Sequence, residues 1–471
     1  MSAPFFFIGL PMLAAPFLYV LRHRRRLAPV LAASLPALLA VLALILPVNQ
    51  PIGLLGNVSI RDSLTVLGRV FVIEPADRLA LTLLFAQAAL LFLATPLAEP
   101  GRFYLPAGTA VLGLLAAALF VRPFLFAALF LELAAAFVVL ILGDESRPVT
   151  RGALRFLVFM TLGMPFILLT GWLLDASAAS PEDTSFVLKA TVLLGIGFVI
   201  LFAVVPFHSW LPVVAEHAPP LSAAFVFTVM HLPAMFLLLN FLNTYDWLGQ
   251  NPAVYQALTL AGGGMAFVGA VFAFGQRNFG RSMGYAMMVD IGATLLAVGL
   301  GAPAGVEVAL VTLVMRGLAL LMWGVGLSQL RRAAGSDDFD SLRGLARRYP
   351  LPAAAVVLGM LSLVGVPVTA GFPGRWALLN LLTHTQRDPR AALLLLLGMA
   401  SVALVCVRGL AALLTPREGE PEPWAEAFSA HRASIVVYGA GLATLLVLGV
   451  FPQWLLPTIA RAAFVFARIG P

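Results

Sequence analysis

The chain has 471 residues, of which 61% are apolar and 11% charged, against roughly 45–50% and 25% in a soluble globular domain. Mean hydropathy is +0.98. These values exclude a soluble enzyme, a disordered tail protein and a secreted disulfide scaffold, and they leave an all-α polytopic membrane protein. The net charge of +7 sits in short loops between apolar runs. It therefore reads as anchoring at the inner leaflet and not as a nucleic-acid surface. A single cysteine, Cys406, lies inside an apolar run and the six histidines are scattered. No disulfide, no metal site and no cofactor are expected in this chain.

In chain order, apolar runs separated by charge, Pro or Gly predict fourteen spans, at about 3–21, 28–47, 79–96, 103–121, 123–142, 153–174, 186–206, 221–243, 254–275, 282–300, 306–329, 351–382, 391–414 and 433–455. Each approaches the roughly 20 apolar residues a crossing needs. The first run precedes its basic cluster (Arg22, Arg24, Arg25, Arg26), the reverse of a secretory signal. It is expected to be a retained span with its N-terminus outside. The stretch 48–78 is β-rich (Val58, Ile60, Leu64, Val66, Val70, Val72) and predicts a short hairpin at the membrane surface. With this topology, seventeen of the 29 Lys and Arg fall in cytoplasmic loops and eight outside. That bias, with an even span count, places both termini outside a bacterial inner membrane.

The remaining cations, Lys189, Arg316, Arg375 and Arg408, fall within spans, as do Glu132, Asp290 and His231. A charge at the bilayer centre costs about 2.5–3.5 kcal/mol on insertion scales. Lys189 and Arg408 lie near span ends and read as snorkelling side chains. Glu132, Asp290 and Arg316 are mid-span and read as interior groups, paired or lining a water path. Gly262-Gly263-Gly264 and Gly324 to Gly326 read as close-packing helix surfaces.

Two spans are interrupted. The seventh ends in Val205-Pro206-Phe207-His208-Ser209-Trp210-Leu211-Pro212, and the twelfth contains Gly365-Val366-Pro367-Val368-Thr369-Ala370-Gly371-Phe372-Pro373-Gly374-Arg375. Proline removes a backbone donor and clashes one turn back. In lipid the freed carbonyls must find protein or water, so broken helices mark cavities. Pro206 and Pro367 are 161 residues apart, and Glu132 and Asp290 are 158 apart. Both spacings fit a repeat of five spans, the fourth to eighth against the ninth to thirteenth. Five is odd, so the second copy is inverted, an arrangement found in transporters. The expected organisation is 1–96, three spans with an external hairpin; 97–250, the first repeat; 251–415, the inverted repeat; and 416–471, an acidic Pro-rich cytoplasmic linker (416–426) with the last span.

Pro206-Phe207-His208-Ser209-Trp210-Leu211-Pro212, followed by Glu216-His217-Ala218-Pro219-Pro220-Leu221-Ser222-Ala223, resembles the seventh-to-eighth span signature of the antiporter-like proton-channel subunits of respiratory complex I, also found in Mrp-type antiporters and membrane-bound hydrogenases. Gly344 to Pro352, Leu361 to Pro367 and Ala370-Gly371-Phe372 resemble that family's twelfth-span signature, and Glu132 matches its fifth-span glutamate. The resemblance covers most of 80–455. It implies a proton-translocating subunit of a redox-driven complex, with other membrane-arm subunits as partners and the redox chemistry left to them. The chain departs from the family at its lysines. Leu201, His231, Arg316 and Arg375 stand where family members carry lysine or, at the last position, lysine or glutamate, and Asp290 stands where a histidine is frequent.

A relay needs groups that gain and lose a proton. Glutamate and histidine can be brought to do so near neutral pH, whereas arginine stays charged. Glu132 and His231 are the candidate relay groups. Arg316 and Arg375 are fixed charges that set the field or pair with Asp290, and His208 either gates the cytoplasmic entrance or caps the broken helix. The ion is read as H+, with Na+ second. A structural, non-pumping paralogue, a Mrp-like Na+/H+ antiporter, a carbon-uptake subunit and an independent permease stay open as alternatives.

Overall fold

The computed structural model describes residues 2–24, 27–46, 60–66, 68–143, 150–179, 185–385, 388–416 and 432–470. The predicted linker lies at 416–426; all of it beyond Pro416 falls outside the described residues, as does Val58 of the predicted hairpin.

The chain opens with α1 (Ala3–Leu21) and α2 (Leu27–Ile45). The predicted hairpin is present as β1 (Ser63–Val66) and β2 (Arg69–Val72), paired antiparallel around Gly68 at φ 73°. A third strand, β3 (Val121–Arg122), pairs with β2 and makes a small sheet. Next come α3 (Pro75–Leu93), the single turn α4 (Thr95–Ala98), α5 (Tyr104–Phe120), α6 (Ala127–Leu142) and α7 (Arg151–Ala179). The first broken region follows: α8 (Ser185–Leu201), a 3-10 turn (Phe207–Ser209) and α9 (Trp210–His217). After it, α10 (Pro220–Phe225) runs through a π turn (Val226–Met230) into α11 (His231–Thr244).

The second half contains α12 (Asp246–Gly249), α13 (Pro252–Phe274), α14 (Phe279–Gly299), α15 (Pro303–Ala334) and α16 (Leu345–Arg348). The second broken region is α17 (Pro350–Val364) and α18 (Phe372–Asn380). The chain ends in α19 (Pro389–Leu414), α20 (Arg432–Val450) and α21 (Leu456–Ala463).

Local chemistry sets the starts. Proline occupies the first turn of α3, α13, α15, α17 and α19, where its missing N–H is an orphan in any case. Asn251, Asn278 and Asp388 accept hydrogen bonds from the first backbone amides of α13, α14 and α19. At α3, Asp77 accepts from the Glu74 amide in a capping box.

Among the described residues, ten helices are long and apolar enough to cross a membrane. They differ sharply in burial. Within the most apolar 18-residue window of each, every residue of Pro220–Thr244 and 94% of those of Phe279–Gly299 are buried, against 28% for Ala3–Leu21. The outer helices present Val20, Trp172 and Leu260 outward, each more than two-thirds exposed. Apolar composition all round a helix hides which helices are central, because lipid and protein interior are equally apolar. Small residues fix the closest approaches: a methyl on Gly262 of α13 would fall 2.6 Å from the Gly292 carbonyl of α14. Gly324 and Gly326 likewise meet the Pro220 and Pro352 carbonyls, at 3.1 and 2.5 Å. Gly264 faces open space, so the expected packing role falls on one face of that triplet.

Candidate functional site

The two predicted interruptions are built alike. At the first, α8 ends at Leu201, Ala203 takes φ 55°, and the Val205–Pro206 bond is cis. At the second, α17 ends at Val364, Gly365 takes φ 87°, and Val368 takes φ 74°. Left-handed geometry in Ala and Val is strained by about 1–3 kcal/mol each, so the surrounding packing must hold it.

Pro367 has no N–H, so the Leu363 carbonyl, one turn earlier, loses its helical donor. Arg375 of α18 fills that place: its Nη2 donates to the Leu363 carbonyl at 3.2 Å. The same nitrogen donates to Asp290 Oδ1 of α14. Arg316 of α15 donates through Nε to Asp290 Oδ2 and through Nη2 to Thr294 Oγ1, the latter at 2.8 Å. The Thr294 hydroxyl in turn donates to the Asp290 carbonyl at 2.8 Å. Asp290, Arg316 and Arg375 are each at most 3% exposed. One carboxylate thus binds two guanidiniums, one per oxygen, and the cluster carries a net charge of +1 inside the span region. Burial of this kind is tolerated only when the ions are paired and hydrogen-bonded.

Beside the cluster lies a cavity of about 10 Å³, bordered by Thr312, Ser362, Gly371 and Gly374 as well as the three charged groups. It is at the lower limit of what one water needs. Arg375 Nη1 is buried without a hydrogen-bond partner among the described residues. Gly365 makes room for this arrangement, since a methyl there would land on the Arg375 side chain.

His231 begins α11, directly after the π turn and two residues before Pro233. The missing Pro233 amide and its ring accommodate poorly in a regular α-turn, and widened turns of this kind recur at functional positions. The His231 ring is 3% exposed and stacks on Trp210, centroids 5.9 Å apart and planes at 18°. It faces the Val226 and Phe227 carbonyls without a well-aligned hydrogen bond and lies within the field of Arg316. Trp210 opens α9, so the line Trp210, His231, Arg316, Asp290, Arg375 runs from one broken helix to the other.

Two expected site residues stand apart from that line. Glu132 on α6 is half-buried and accepts from Thr161 Oγ1 of α7 at 2.6 Å; its other oxygen is buried with no partner among the described residues. His208 sits in the 3-10 turn with its ring 6.3 Å from that of Phe272. Lys189 is exposed over the Phe186 ring, 3.4 Å from Ser185 Oγ, and Arg408 donates to the Phe274 carbonyl; neither joins the cluster. Leu201, at the family's lysine position, is a buried core residue.

Sequence reasoning passed over Thr294, Ser362 and Thr312, whose only signal was a hydroxyl in an apolar run. It also passed over a second buried carboxylate, Asp77 on α3, 3.4 Å from Arg122 of β3, with Glu74 3.0 Å from the same guanidinium. Among the described residues no group of three or more His, Cys, Asp or Glu is arranged to hold a metal.

Residues 190–402 match the family model described as NADH:quinone oxidoreductase/Mrp antiporter, TM. Subunit N of NADH-quinone oxidoreductase from Rhodococcus opacus is 27% identical over 302 residues, covering 62% of this chain and 54% of that protein. Formate hydrogenlyase subunit 3 of Escherichia coli is 28% identical over 300 residues, covering 57% and 47%. The chain thus spans about half the length of these curated relatives. Among solved structures, a chain of the membrane-bound sulfane sulfur reductase, an archaeal respiratory membrane complex, superposes with a TM-score of 0.82 at 17% identity, covering all of this chain and 98% of that one. A chain of the Mrp complex from Dietzia sp. gives 0.73 at 19% (100% and 99% covered), and one of Thermus thermophilus respiratory complex I gives 0.74 at 24% (98% and 100%). At these identities the likeness is one of fold. In its central sequence and in its whole fold, the chain is similar to the antiporter-like membrane subunits of NADH:quinone oxidoreductase and Mrp-type complexes.

Proposed function

We propose that the chain is an ion-conducting, antiporter-like subunit of a larger energy-converting membrane complex, and that the ion is H+. The observation that carries this reading is the buried polar line between two interrupted helices. A net-positive cluster and an uncompensated histidine ring are costly in a bilayer interior unless they serve a hydrated path. His231 is the group on that line whose ring nitrogens can take up and release a proton. Arg316 and Arg375 set the field around it, with Asp290 holding both. Glu132, on the α6–α7 flank with one oxygen unpartnered, serves as a lateral relay toward a neighbouring subunit, and His208 stands at the mouth of the first break. Redox chemistry belongs to partner subunits, and this chain carries no cofactor of its own.

The same reading takes the chain as fourteen spans. To the ten long helices it adds Tyr104–Phe120, Ser185–Leu201, Pro350–Val364 and Ser434–Val450, which are apolar but shorter. The matched breaks support an inverted pair of five-span repeats, 97–250 and 251–415, between an N-terminal three-span unit (1–96) and a C-terminal unit (416–471). The basic loops around Arg22, Arg281 and Arg331 support a cytoplasmic end there and external termini.

One observation favours a non-pumping, structural role for the second half: its cations are arginines locked on one carboxylate. Reconstitution separates the readings. The full-length chain, purified with its membrane partners into proteoliposomes, is given a K+ diffusion potential, and internal pH is followed. Proton movement independent of Na+ supports the proposal. Movement that requires Na+ makes it a Na+/H+ antiporter, and none at all makes it structural.

A further inference from the structure

We propose that the arginine-lined cavity at one end of the bundle is a binding site for the phosphate headgroup of an anionic phospholipid. The cavity measures about 1180 Å³ and is formed where the end of α1 (Arg22, His23), the start of α2 (Ala28, Pro29), the α4 region, the start of α10 and the end of α15 meet. It exceeds the roughly 300–1,000 Å³ of an ordinary small-molecule pocket. Four arginines line it (Arg22, Arg102, Arg331, Arg332), with His217 and one carboxylate, Glu99.

The internal bonds of these groups leave donors over. Arg332 is engaged at all three nitrogens, by Glu99 at 3.0 Å and by the Ser328 and Leu97 carbonyls, so the spare donors are those of the other three arginines. Among the described residues, Arg331 uses only Nη1, toward the Ala218 carbonyl at 2.9 Å and Asp337 at 3.4 Å. Arg22 uses Nη1 on the Tyr19 carbonyl at 3.0 Å, while its Nε is buried without a partner among the described residues. Arg102 lies over the Phe103 ring, 4.9 Å from its centroid. Pro29, Pro96, Pro100, Pro106, Pro219 and Pro220 also line the walls, and proline supplies no N–H. Recognition therefore falls to guanidinium forks, which match phosphate oxygens.

Position selects a lipid over a soluble phosphate. The cavity lies at the ends of spans, where headgroups lie. The helix turns beside its lining residues Arg22, Ala28 and Pro29 present Val20, Leu27, Val30 and Leu31 outward, 42–73% exposed. A headgroup in the cavity would lay its acyl chains along those faces. Basic pockets between spans on the cytoplasmic side are suited to anionic headgroups. This inference rests on the membrane-spanning architecture and not on ion conduction.

The test uses the full-length chain in zwitterionic phosphatidylcholine nanodiscs, titrated with phosphatidylglycerol and read by native mass spectrometry. Arg22→Gln/Arg102→Gln is the variant and Arg347→Gln/Arg348→Gln, outside the cavity, the control. Each arginine near a charged headgroup contributes a factor of roughly 5, so the variant should bind phosphatidylglycerol about 25-fold more weakly. The control should match wild type, and millimolar inorganic phosphate should leave the lipid bound. Equal binding by variant and wild type, or equal retention of added phosphatidylcholine and phosphatidylglycerol, would overturn the proposal. Displacement by inorganic phosphate would also overturn it, in favour of a soluble ligand. A photoactivatable phosphatidylglycerol on the wild-type chain keeps the test open if the variant misfolds. Crosslinks should map to 19–31 and 95–106, and crosslinks confined to other segments would refute the site.

Discussion

Replacing Asp290 by Asn keeps the shape of the side chain and removes the one negative charge between two buried guanidiniums. Two charge-assisted hydrogen bonds are weakened, each worth about 1.5–3 kcal/mol. Arg316 and Arg375 are left facing each other with no counter-ion. Removing one partner of a buried ionic group generally costs about 3–5 kcal/mol, and D290N should fall in that range. The remaining bonds, Arg316 to Thr294 and Arg375 to the Leu363 carbonyl, hold the cations in place and so preserve the repulsion. Arg375→Met is costly alone, because the Leu363 carbonyl is then orphaned beside Pro367. In the double variant D290N/R375M one excess charge is gone, so the combined loss should be smaller than the sum by about 1–3 kcal/mol. Chemical unfolding in mixed micelles measures the cycle. If unfolding proves irreversible, inactivation rates at fixed temperature serve instead. A D290N variant as stable as wild type, or single losses that add within about 0.5 kcal/mol, would refute the ion cluster as drawn.

Gly365→Ala combines a φ of 87° with a methyl placed on the Arg375 side chain. It should destabilise by more than the ~1–2 kcal/mol of left-handed strain alone, measured in the same assay. Gly262→Leu should weaken the α13–α14 contact by about 2 kcal/mol or more, whereas Gly264→Leu, which faces open space, should be nearly neutral. Asp337, in the loop after α15, is pushed up to about 7, chiefly by burial and further by Asp338 and Glu216, against the opposing pull of Arg331. A carboxyl raised on folding binds its proton more tightly in the folded state, so its contribution to stability is greatest below about pH 4 and is lost as pH rises toward 7. Asp337→Asn should flatten stability against pH across that window; an unchanged slope would exclude this carboxyl as its source.

Much of the architecture was legible in the sequence because membrane crossing imposes length and breaks impose proline. The span at 254–275 was read to within two residues at each end of the observed Pro252–Phe274. The interruptions at Pro206 and Pro367 and the hairpin at 63–72 also fell where expected. The pairing of Arg316 and Arg375 with Asp290 was among the expected arrangements, since three buried charges in apolar spans have few other ways to be neutralised. The facing of Glu132 was not legible. Apolar helices carry no amphipathic signal to say which side meets protein, so a glutamate on α6 could equally have pointed at α7 or at the central line. The Arg375 bond to the Leu363 carbonyl was hidden for another reason: a main-chain acceptor has no letter in the sequence, although Pro367 four residues on implied that one was free. The π turn before His231 was similarly implied only by Pro233.

The account depends on His231 carrying protons along the buried line. Phe in its place keeps the stacking on Trp210 and removes the exchangeable proton. With the full-length chain and its partners in proteoliposomes under a K+ diffusion potential, His231→Phe should reduce proton movement at least tenfold while leaving the assembly intact. Proton movement at the wild-type rate in that variant would contradict the account.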